Sequence, residues 1–345
     1  MIERLLVVGL GSAGKRHVRV ARGLLPNVRI VALRRSDSVA PDEPDVERCV
    51  VAVAEALAFK PQVAVVANPA THHFAITQAL IDAGVHVLIE KPLAHESSGL
   101  AELLATARQR RVTVMTAYNL RFAPSLIHFR EQVRSQVVGP VLSVRAEVGQ
   151  HLPNWRPQTD YRRSVSARRD LGGGVLLELS HEIDYLRWIF GEVEWVRATC
   201  ARQSRLEIDV EDTAHLTLKI APSPAGRAVI AALNLDFIRH DTTRVCTAIC
   251  EGGSLRWNGI TGVVEIFSAG GKEWREVFRH PPQRDETYVA EWIHFMNCVD
   301  ETSQPSISGE EGLATLKIVE AARQAAESGH RVAVAPLNHT AKTIK

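Results

Sequence analysis

The sequence has few cysteines, and none of them is arranged for a metal site or a redox centre. The five, Cys49, Cys200, Cys246, Cys250 and Cys298, form no CxxC pair and no Cys/His ligand spacing. Cys246 and Cys250 lie four residues apart in TRVCTAIC, so we expect them to share one face of a strand as reduced thiols. We predict no metal site.

Long apolar runs and a strong charge of either sign are also missing. No run is long enough to span a membrane, and the start MIERLLVVGLGSAG lacks the cationic region and cleavage site of a signal peptide. The formal net charge is only +2, without a basic run typical of nucleic-acid binding. We therefore expect a cytoplasmic protein with neither a membrane nor a nucleic-acid partner.

What the chain has is the composition of an ordinary globular protein, with 46% hydrophobic and 23% charged residues. Its 345 residues exceed what one hydrophobic core usually fills. From residue 4 to about 120, short β-branched runs alternate with helical stretches, which is typical of a parallel sheet covered on both faces. We predict an N-terminal α/β domain, residues 1–120, with a doubly wound parallel sheet of the Rossmann type.

From about residue 140 the apolar pattern changes to longer, amphipathic strands such as VLSVRAEVG, VEWVRATCA and RVCTAICEG. Such alternation predicts a large, mainly antiparallel open sheet, accompanied by helices over about 285–300 and 309–328. We predict a C-terminal α+β domain, residues 121–345. Because one face of this sheet lacks a partner in the chain, we expect a homodimer or homotetramer that buries it.

A glycine-rich turn follows the first predicted strand directly. Gly9, Gly11 and Gly14 are spaced GxGxxG around Ser12 and Ala13, and a helix begins at once. Glycines at this spacing allow a sharp turn, close approach to a pyrophosphate and tight packing of the helix on the strand. We predict that these five residues bind a dinucleotide.

The end of the second strand bears on which dinucleotide is bound. An acidic residue there would bind the ribose hydroxyl of NAD, but the sequence has Arg34, Arg35 and Ser36, and Asp37 follows only later. Two guanidiniums and a hydroxyl favour the 2′-phosphate of NADP. The alternative is that the arginines are solvated or stack on the adenine, while Asp37 binds the ribose of NAD.

A second conspicuous stretch is GGGVLLELSHEIDY, residues 172–185, which carries Glu178, His181 and Asp184 at intervals of three. The apolar spacing predicts a helix, and on a helix these three groups would form one cluster. The alternative is a structural histidine with acidic neighbours.

Four segments together resemble the Gfo/Idh/MocA family of NAD(P)-dependent oxidoreductases: GLGSAGKRH, ANPATHHFAITQALIDAGVHVLIEKPLA at 67–94, YNLRFAP at 118–124 and GGGVLLELSHEIDYLRWIFG at 172–191. The resemblance covers nearly the whole chain. It implies a Rossmann domain followed by an α/β domain with a large open sheet. It also implies hydride transfer between nicotinamide and a secondary hydroxyl or keto carbon of a sugar, an inositol or a derivative.

The resemblance also assigns catalytic roles. Lys91 of EKP would contact the reacting oxygen, and His181 would be the general base. The alternative for Lys91 is a structural salt bridge with Glu90. Glu178 stands three residues before His181, where the family usually has an Asp four before it, so its role as an orienting or substrate-binding acid is open. Asp184 would fix either His181 or a helix contact.

Further residues match the cofactor-binding positions of the family, namely Asn68, Pro69, Thr71, His72, Glu90, Lys91 and Asn119. His72 is equally compatible with a structural role. For Arg121 two roles remain open, a substrate carboxylate or phosphate contact and a domain-joining salt bridge.

The most individual stretch, residues 151–171, has the length and position of a substrate lid just before His181. An aromatic face and several donors suit a sugar with carboxylate or phosphate groups. They are Trp155, Arg156, Tyr161, Arg162, Arg168 and Arg169. This loop and the SHEIDY form resemble a subgroup of bacterial surface-sugar and nonulosonic-acid biosynthesis, which implies an acidic or nucleotide-linked amino sugar as the substrate.

Other functions of the same fold remain open at this point. A protein that binds NADP and a sugar without catalysis would be a sensor or scaffold. Within enzymes, the family also includes double-bond reduction and chemistry by transient oxidation. Retention of both Lys91 and His181 favours a dehydrogenase or reductase.

Overall fold

The N-terminal part alternates short apolar strands with helices in the computed structural model, which describes residues 2–35, 43–222 and 227–335. Its strands are β1 (Arg4–Val8), β2 (Arg29–Leu33), β3 (Arg48–Val50), β4 (Val63–Val66), β5 (His86–Glu90) and β6 (Val114–Ala117). Its helices are α1 (Ser12–Leu24), α2 (Val53–Ala58), α3 (His73–Asp82) and α4 (Leu100–Gln109). The strands pair in parallel in the order β3-β2-β1-β4-β5-β6, which confirms the predicted Rossmann sheet.

The strand order of this sheet reverses between β1 and β4. In open α/β sheets, ligands bind outside the carboxyl ends of the strands at such a switch point. The chain segments that leave β1, β4 and β5 there are the glycine-rich turn, the loop from Asn68 and the loop from Lys91. The topology therefore gathers three separate sequence motifs at one edge.

The C-terminal part is built on a second sheet of nine strands. After α5 (Pro124–Arg134) come β7 (Val141–Gly149), α6 (Val175–Glu178), α7 (His181–Phe190), β8 (Val193–Ala201), β9 (Thr213–Ile220), β10 (Val229–Asp236), β11 (Thr243–Cys250), β12 (Gly253–Asn258), β13 (Val263–Ser268), β14 (Arg275–Arg279), α8 (Glu286–Val299), α9 (Gly309–Ser328) and β15 (Val332–Ala333). The strand order is β14-β13-β12-β11-β7-β10-β9-β8-β15. Only β7 and β10 pair in parallel, so the sheet is mixed but mainly antiparallel, as predicted.

The two faces of the second sheet differ in burial. On β10, Ala231, Leu233 and Leu235 are fully buried, whereas Ile230 is 43% exposed. The buried face packs against α5, α7 and α9. Cys246 and Cys250 share it, and all five cysteines are unpaired.

Helix α8 of the C-terminal part packs on the N-terminal sheet. Trp292 and Phe295 of α8 are fully buried in the same core cluster as Leu5 and Val7 of β1. The predicted boundary at residue 120 assigns α8 to the C-terminal domain and does not anticipate that α8 packs on the N-terminal sheet. The boundary itself stays a prediction. Among the described residues, no helix is long and apolar enough to cross a lipid bilayer.

Candidate active site

The glycine-rich turn has the geometry that a bound pyrophosphate requires. Gly9 has φ +88°, and a Cβ on Gly14 would lie 1.9 Å from the Gly9 carbonyl oxygen, so neither position accepts a side chain. A Cβ on Gly11 would meet no atom within 4 Å, which shows open space in front of the turn. Ser12 and Ala13 begin α1 there, with the first amides of the helix directed toward this space.

Neighbouring loops contribute polar atoms that are buried but have no partner among the described residues. They are Arg34 Nη1, Asn68 Oδ1 and Thr71 Oγ1. Buried polar groups are normally hydrogen-bonded, so three such atoms around one turn fit a ligand that supplies the missing partners. Ser36 lies outside the described residues, Arg35 is exposed, and Pro69 leads into the loop that carries Thr71. These residues fit a dinucleotide, with phosphates at α1 and a ribose at the end of β2.

The two adjacent histidines of this region differ sharply. His72 is exposed, whereas His73 is buried, with Nε2 2.8 Å from the Asn68 carbonyl and Nδ1 2.9 Å from the Pro92 carbonyl. Burial lowers the pKa of His73, and both carbonyls oppose that shift. His73 thus ties the loop after β4 to the loop that carries Lys91, a role that the sequence argument did not see.

The stretch 172–185 is not one continuous helix, so that prediction was wrong. α6 ends at Glu178 and α7 begins at His181, because the backbone leaves helical geometry at Leu179. The expected cluster of three ionisable groups does not form as a result. The Glu178 carboxylate accepts a hydrogen bond from the Ser166 hydroxyl at 2.7 Å and thereby anchors the predicted lid.

The break in the helix brings Lys91 and His181 into one environment. The Lys91 ammonium donates to the Glu178 main-chain carbonyl at 2.7 Å, three residues before His181. Burial lowers the pKa of His181 well below its usual value, and the charges of Lys91 and Arg244 lower it further. His181 packs edge-on against Tyr118, with ring centroids 5.5 Å apart. The site therefore pairs a neutral imidazole with a fixed ammonium group.

One ring nitrogen of His181 is available for a hydrogen bond. This atom, Nδ1, is buried and bonds to no residue that the structure describes. Asp184 does not supply that bond, because Arg121 holds both carboxylate oxygens of Asp184 at 2.7 and 2.8 Å.

Arg121 and Asp184 belong to a buried ion-pair network. Their side chains are 4% and 1% exposed, and Arg121 also reaches Glu311 of α9 at 2.9 Å. Burial raises the pKa of Asp184, and the charge of Arg121 opposes that shift. The geometry therefore favours the helix contact over a contact with His181 for Asp184. For Arg121 it favours the domain-joining ion pair over a substrate contact.

Asn119 lies where the N-terminal sheet meets α8. Its amide donates to the Thr287 hydroxyl at 2.7 Å, and the residue is only 8% exposed. It directly follows Tyr118, whose ring touches His181. The amide N–H of Asn119 is thus engaged by Thr287, one residue along the chain from the tyrosine that contacts His181.

Two charged residues at the site were not found by sequence reasoning. Glu182 is fully buried, and one carboxylate oxygen accepts from Arg244 Nε of β11 at 2.8 Å. Burial raises the pKa of Glu182, and the Arg244 charge opposes this shift. The position of Glu182 directly after His181 could have indicated that Glu182 belongs to the site. Its ion pair with Arg244 could not be predicted, because the two residues are 62 positions apart in the sequence.

The predicted lid, residues 151–171, is tied to itself and to the loop after β8. Its arginines are exposed, and three of them bond to acidic side chains or to a carbonyl of the same region. Arg162 pairs with Asp160 and Glu207, Arg168 with Asp170, and Arg169 with the main chain of Asp209.

The aromatic residues of the same segment are half-buried. The Trp155 indole donates to the Gln150 carbonyl at 3.1 Å, and its ring stands edge-on to Phe237. The Tyr161 hydroxyl accepts from the Glu207 amide at 3.2 Å. Arg156 is exposed beside Trp155. The lid assignment of these residues stays a prediction.

The first sheet is of the Rossmann type, with a glycine-rich anion turn at its switch point and Lys91 after β5. The C-terminal part adds a large sheet and His181 at the start of α7, in the environment of Lys91. Together these features define a dinucleotide-binding oxidoreductase class. The model of the oxidoreductase family with an NAD-binding Rossmann fold matches residues 4–118, and that of its C-terminal alpha/beta domain matches residues 130–334. The chain belongs to the Gfo/Idh/MocA family of oxidoreductases.

Similar proteins agree with this assignment. An uncharacterised oxidoreductase of Synechocystis is 26% identical over 80% of this chain and 80% of its own length. Inositol 2-dehydrogenase of Rhizobium meliloti is 22% identical over 97% of this chain and 100% of its own.

Solved structures show the same fold. The WlbA dehydrogenase of Bordetella pertussis, in complex with NADH and UDP-GlcNAcA, superposes with a TM-score of 0.80 at 21% identity, over 98% of this chain and 100% of its own. Levoglucosan dehydrogenase in complex with NADH gives 0.83 at 20% identity, over 97% and 100%. At these identities the likeness concerns the fold alone.

Proposed function

We propose that this protein is an NAD(P)-dependent dehydrogenase or reductase that transfers a hydride between nicotinamide and a secondary hydroxyl or keto carbon of a sugar derivative. The observation that carries the proposal is that the buried His181, whose pKa is lowered by burial and by the charge of Lys91, shares one environment with the Lys91 ammonium beyond the carboxyl end of β5. Hydride transfer from an alcohol needs a base for the hydroxyl proton and a cation at the oxygen, and these are the two groups present.

The chemistry divides between the cofactor and the side chains. The nicotinamide, when bound, supplies the hydride acceptor or donor. In the oxidative direction, a ring nitrogen of His181 takes the hydroxyl proton while the Lys91 ammonium stabilises the developing carbonyl oxygen. In reduction, protonated His181 returns that proton. The low pKa of His181 keeps the imidazole unprotonated near neutral pH, which suits the base.

The finer substrate assignment is an acidic or nucleotide-linked amino sugar of surface-polysaccharide biosynthesis. The arginine-rich segment 151–171 supports an anionic substrate, because its exposed guanidiniums exchange surface partners at little cost. Arg244 adds a second cation near His181. Its Nε bonds to Glu182, while its Nη groups have no bonding partner among the described residues. UDP-GlcNAcA in the WlbA complex is a sugar of this kind.

For the cofactor we propose NADP with NAD as the alternative, and for the assembly a homodimer or homotetramer. Arg34, whose buried Nη1 bonds to none of the residues that the structure describes, supports a 2′-phosphate at the end of β2. The uncovered face of the second sheet, where Ile230 is exposed, supports association through that sheet. Light scattering coupled to gel filtration reports the assembly, and a monomeric mass would refute it.

The function is tested by following NAD(P)H absorbance with a panel of neutral, acidic and nucleotide-linked sugars in both directions. The wild type is compared with Lys91→Met and His181→Gln, and cofactor binding is measured by nicotinamide fluorescence. We expect turnover of one sugar class that both substitutions reduce at least about a hundredfold, with cofactor affinity retained.

Two other outcomes would contradict the proposal. Tight cofactor binding with no turnover of any sugar would favour the sensor or scaffold. Turnover that survives both substitutions would remove Lys91 and His181 from the chemistry.

A further inference from the structure

A fully buried histidine connects the dinucleotide-binding helix to the strand that carries the reacting lysine. His17 lies on α1 and is 0% exposed. Its Nε2 is 3.0 Å from Glu90 Oε1 at the end of β5, and its Nδ1 is 2.9 Å from Trp292 Nε1 of α8. One imidazole thus joins three elements that lie far apart in the sequence.

The Trp292 contact fixes the proton on the histidine. An indole N–H only donates, so His17 Nδ1 must accept and carries a lone pair. The ring proton therefore sits on Nε2, from which it donates to Glu90. Because Nδ1 is occupied as an acceptor, His17 is neutral in this arrangement.

Glu90 connects His17 to Lys91 through its two carboxylate oxygens. One carboxylate oxygen is held by His17, and the other accepts from the Lys91 main-chain amide at 3.2 Å. Burial opposes ionisation of Glu90, yet the His17 hydrogen bond and the charges of Lys91 and Arg16 keep its pKa below the usual value. The Glu90 carboxylate is thus fixed at both oxygens.

The other titratable groups around Glu90 leave this pattern intact. Arg16 pairs with Asp285 and donates to the Tyr288 hydroxyl. Glu291 is fully buried, and neither of its carboxyl oxygens bonds to a residue that the structure describes. Burial and the charge of Glu90 raise the pKa of Glu291 well above the usual value, so Glu291 remains a neutral acid.

We propose that His17, held in one tautomer by Trp292, is a positioning residue for Lys91 that acts through Glu90. This inference rests on the proposed function, in which the Lys91 ammonium contacts the reacting oxygen. The main chain of Lys91 is fixed by Glu90 and its ammonium by the Glu178 carbonyl, so both ends of the side chain are set. Positioning of this kind lowers the entropic cost of reaching the transition state.

Trp292→Phe deletes the indole N–H that bonds to His17 Nδ1 while keeping an aromatic ring. The imidazole then loses one of its two hydrogen-bonded anchors, so the Nε2–H that donates to Glu90 is positioned less precisely. We expect kcat to fall about tenfold, with cofactor KM unchanged.

Trp257→Phe is the matched control. Trp257 is also fully buried, and its single N–H donates at 3.0 Å, but to Ser125 between α5 and β12. Both variants lose a buried N–H bond, so both lose stability, but only Trp292→Phe lowers kcat. His17→Gln, whose amide can still donate to Glu90, retains more activity than His17→Ala.

NMR of the uniformly labelled full-length protein gives a readout that is independent of turnover. In the wild type we expect the ring proton of His17 on Nε2, and we expect Trp292→Phe and His17→Ala to shift the Lys91 amide resonance. An unchanged Lys91 amide in both variants, or equal kcat values for Trp292→Phe and Trp257→Phe, would overturn the proposal. A wild type with the expected resonances but no sugar turnover would instead reject only the proposed function.

Discussion

The Lys91 ammonium donates a hydrogen bond to the Glu178 main-chain carbonyl at 2.7 Å, across 87 residues of sequence. This bond joins the end of a Rossmann strand to the break between α6 and α7. The carbonyl is free to accept because α6 ends at Glu178 and the Glu182 amide donates to the Leu179 carbonyl instead. The break in the helix thus provides the contact that holds Lys91 beside His181.

Replacement of Lys91 is expected to remove the cation at the reacting oxygen. We expect Lys91→Met to lower kcat at least about a hundredfold, with cofactor KM little changed, in steady-state assays of whichever sugar of the panel is turned over. Lys219→Met, which removes the β9 lysine that pairs with Glu194, is the control and should retain wild-type kcat. A loss of only a few-fold in Lys91→Met would contradict the catalytic role.

The pH dependence of the reaction follows from the shifted pKa of His181. The usual value is 6.5, and burial lowers it well below that in the folded protein. A base works above its pKa, so kcat/KM should stay level as the pH decreases through 6.5 and decline only at lower pH.

The measurement is kcat/KM for the sugar at saturating cofactor, from about pH 5 to about pH 9. His181→Gln should lower the plateau and abolish the acid limb. A limb centred at or above 6.5 in the wild type would show that His181 is not the base, or that its imidazole is solvated.

Loss of Arg121 is expected to destabilise the fold rather than to alter substrate recognition. Arg121→Met leaves the Asp184 carboxylate, 1% exposed, without its bidentate partner. Removal of one member of a buried ion pair costs about 3–5 kcal/mol, which urea unfolding measures.

Arg162→Met provides the comparison for Arg121. Arg162 pairs with Asp160 at the surface, where 52% of its side chain is exposed, so its loss should leave the unfolding midpoint unchanged. Equal midpoint shifts in the two variants would mean that the buried network contributes no more than a surface pair.

The choice between NADP and NAD is expected to depend on Arg34. Arg34→Asp replaces a guanidinium at the carboxyl end of β2 by a carboxylate, which repels a 2′-phosphate and can bind a ribose hydroxyl. We expect the ratio of kcat/KM for NADP to that for NAD to fall about tenfold or more.

Arg29→Asp makes the same charge change at the opposite end of β2, where the arginine pairs with Glu47. It should leave the cofactor ratio unchanged. If Arg34→Asp affects both cofactors equally, Arg34 does not contact the 2′ position.

Structural features that depend on a local sequence pattern were predictable from the sequence. α9 spans Gly309–Ser328 and α8 spans Glu286–Val299, close to the predicted bounds, because periodicity and caps such as Ser308 are read within one segment. The glycine-rich turn was predictable for the same reason, since its steric requirement involves only adjacent strand and helix.

The sequence could not predict which residues of distant segments bond to each other. Residues His72 and His73 are indistinguishable by spacing, and only the packing of two loops makes the second one the buried link. The pairing of Arg121 with Asp184, 63 residues away, likewise depends on how α7 docks.

The sequence by itself determined the alternation of strands and helices and the position of the glycine-rich turn, because periodicity and steric need are local properties. The tertiary structure alone decided that α6 and α7 separate at Leu179, that Glu178 offers its carbonyl rather than its carboxylate to Lys91, and that α8 places Trp292 against His17. The physical reason is that a hydrogen bond depends on the positions of two atoms to within a few tenths of an ångström, and only the packing of whole elements sets these positions.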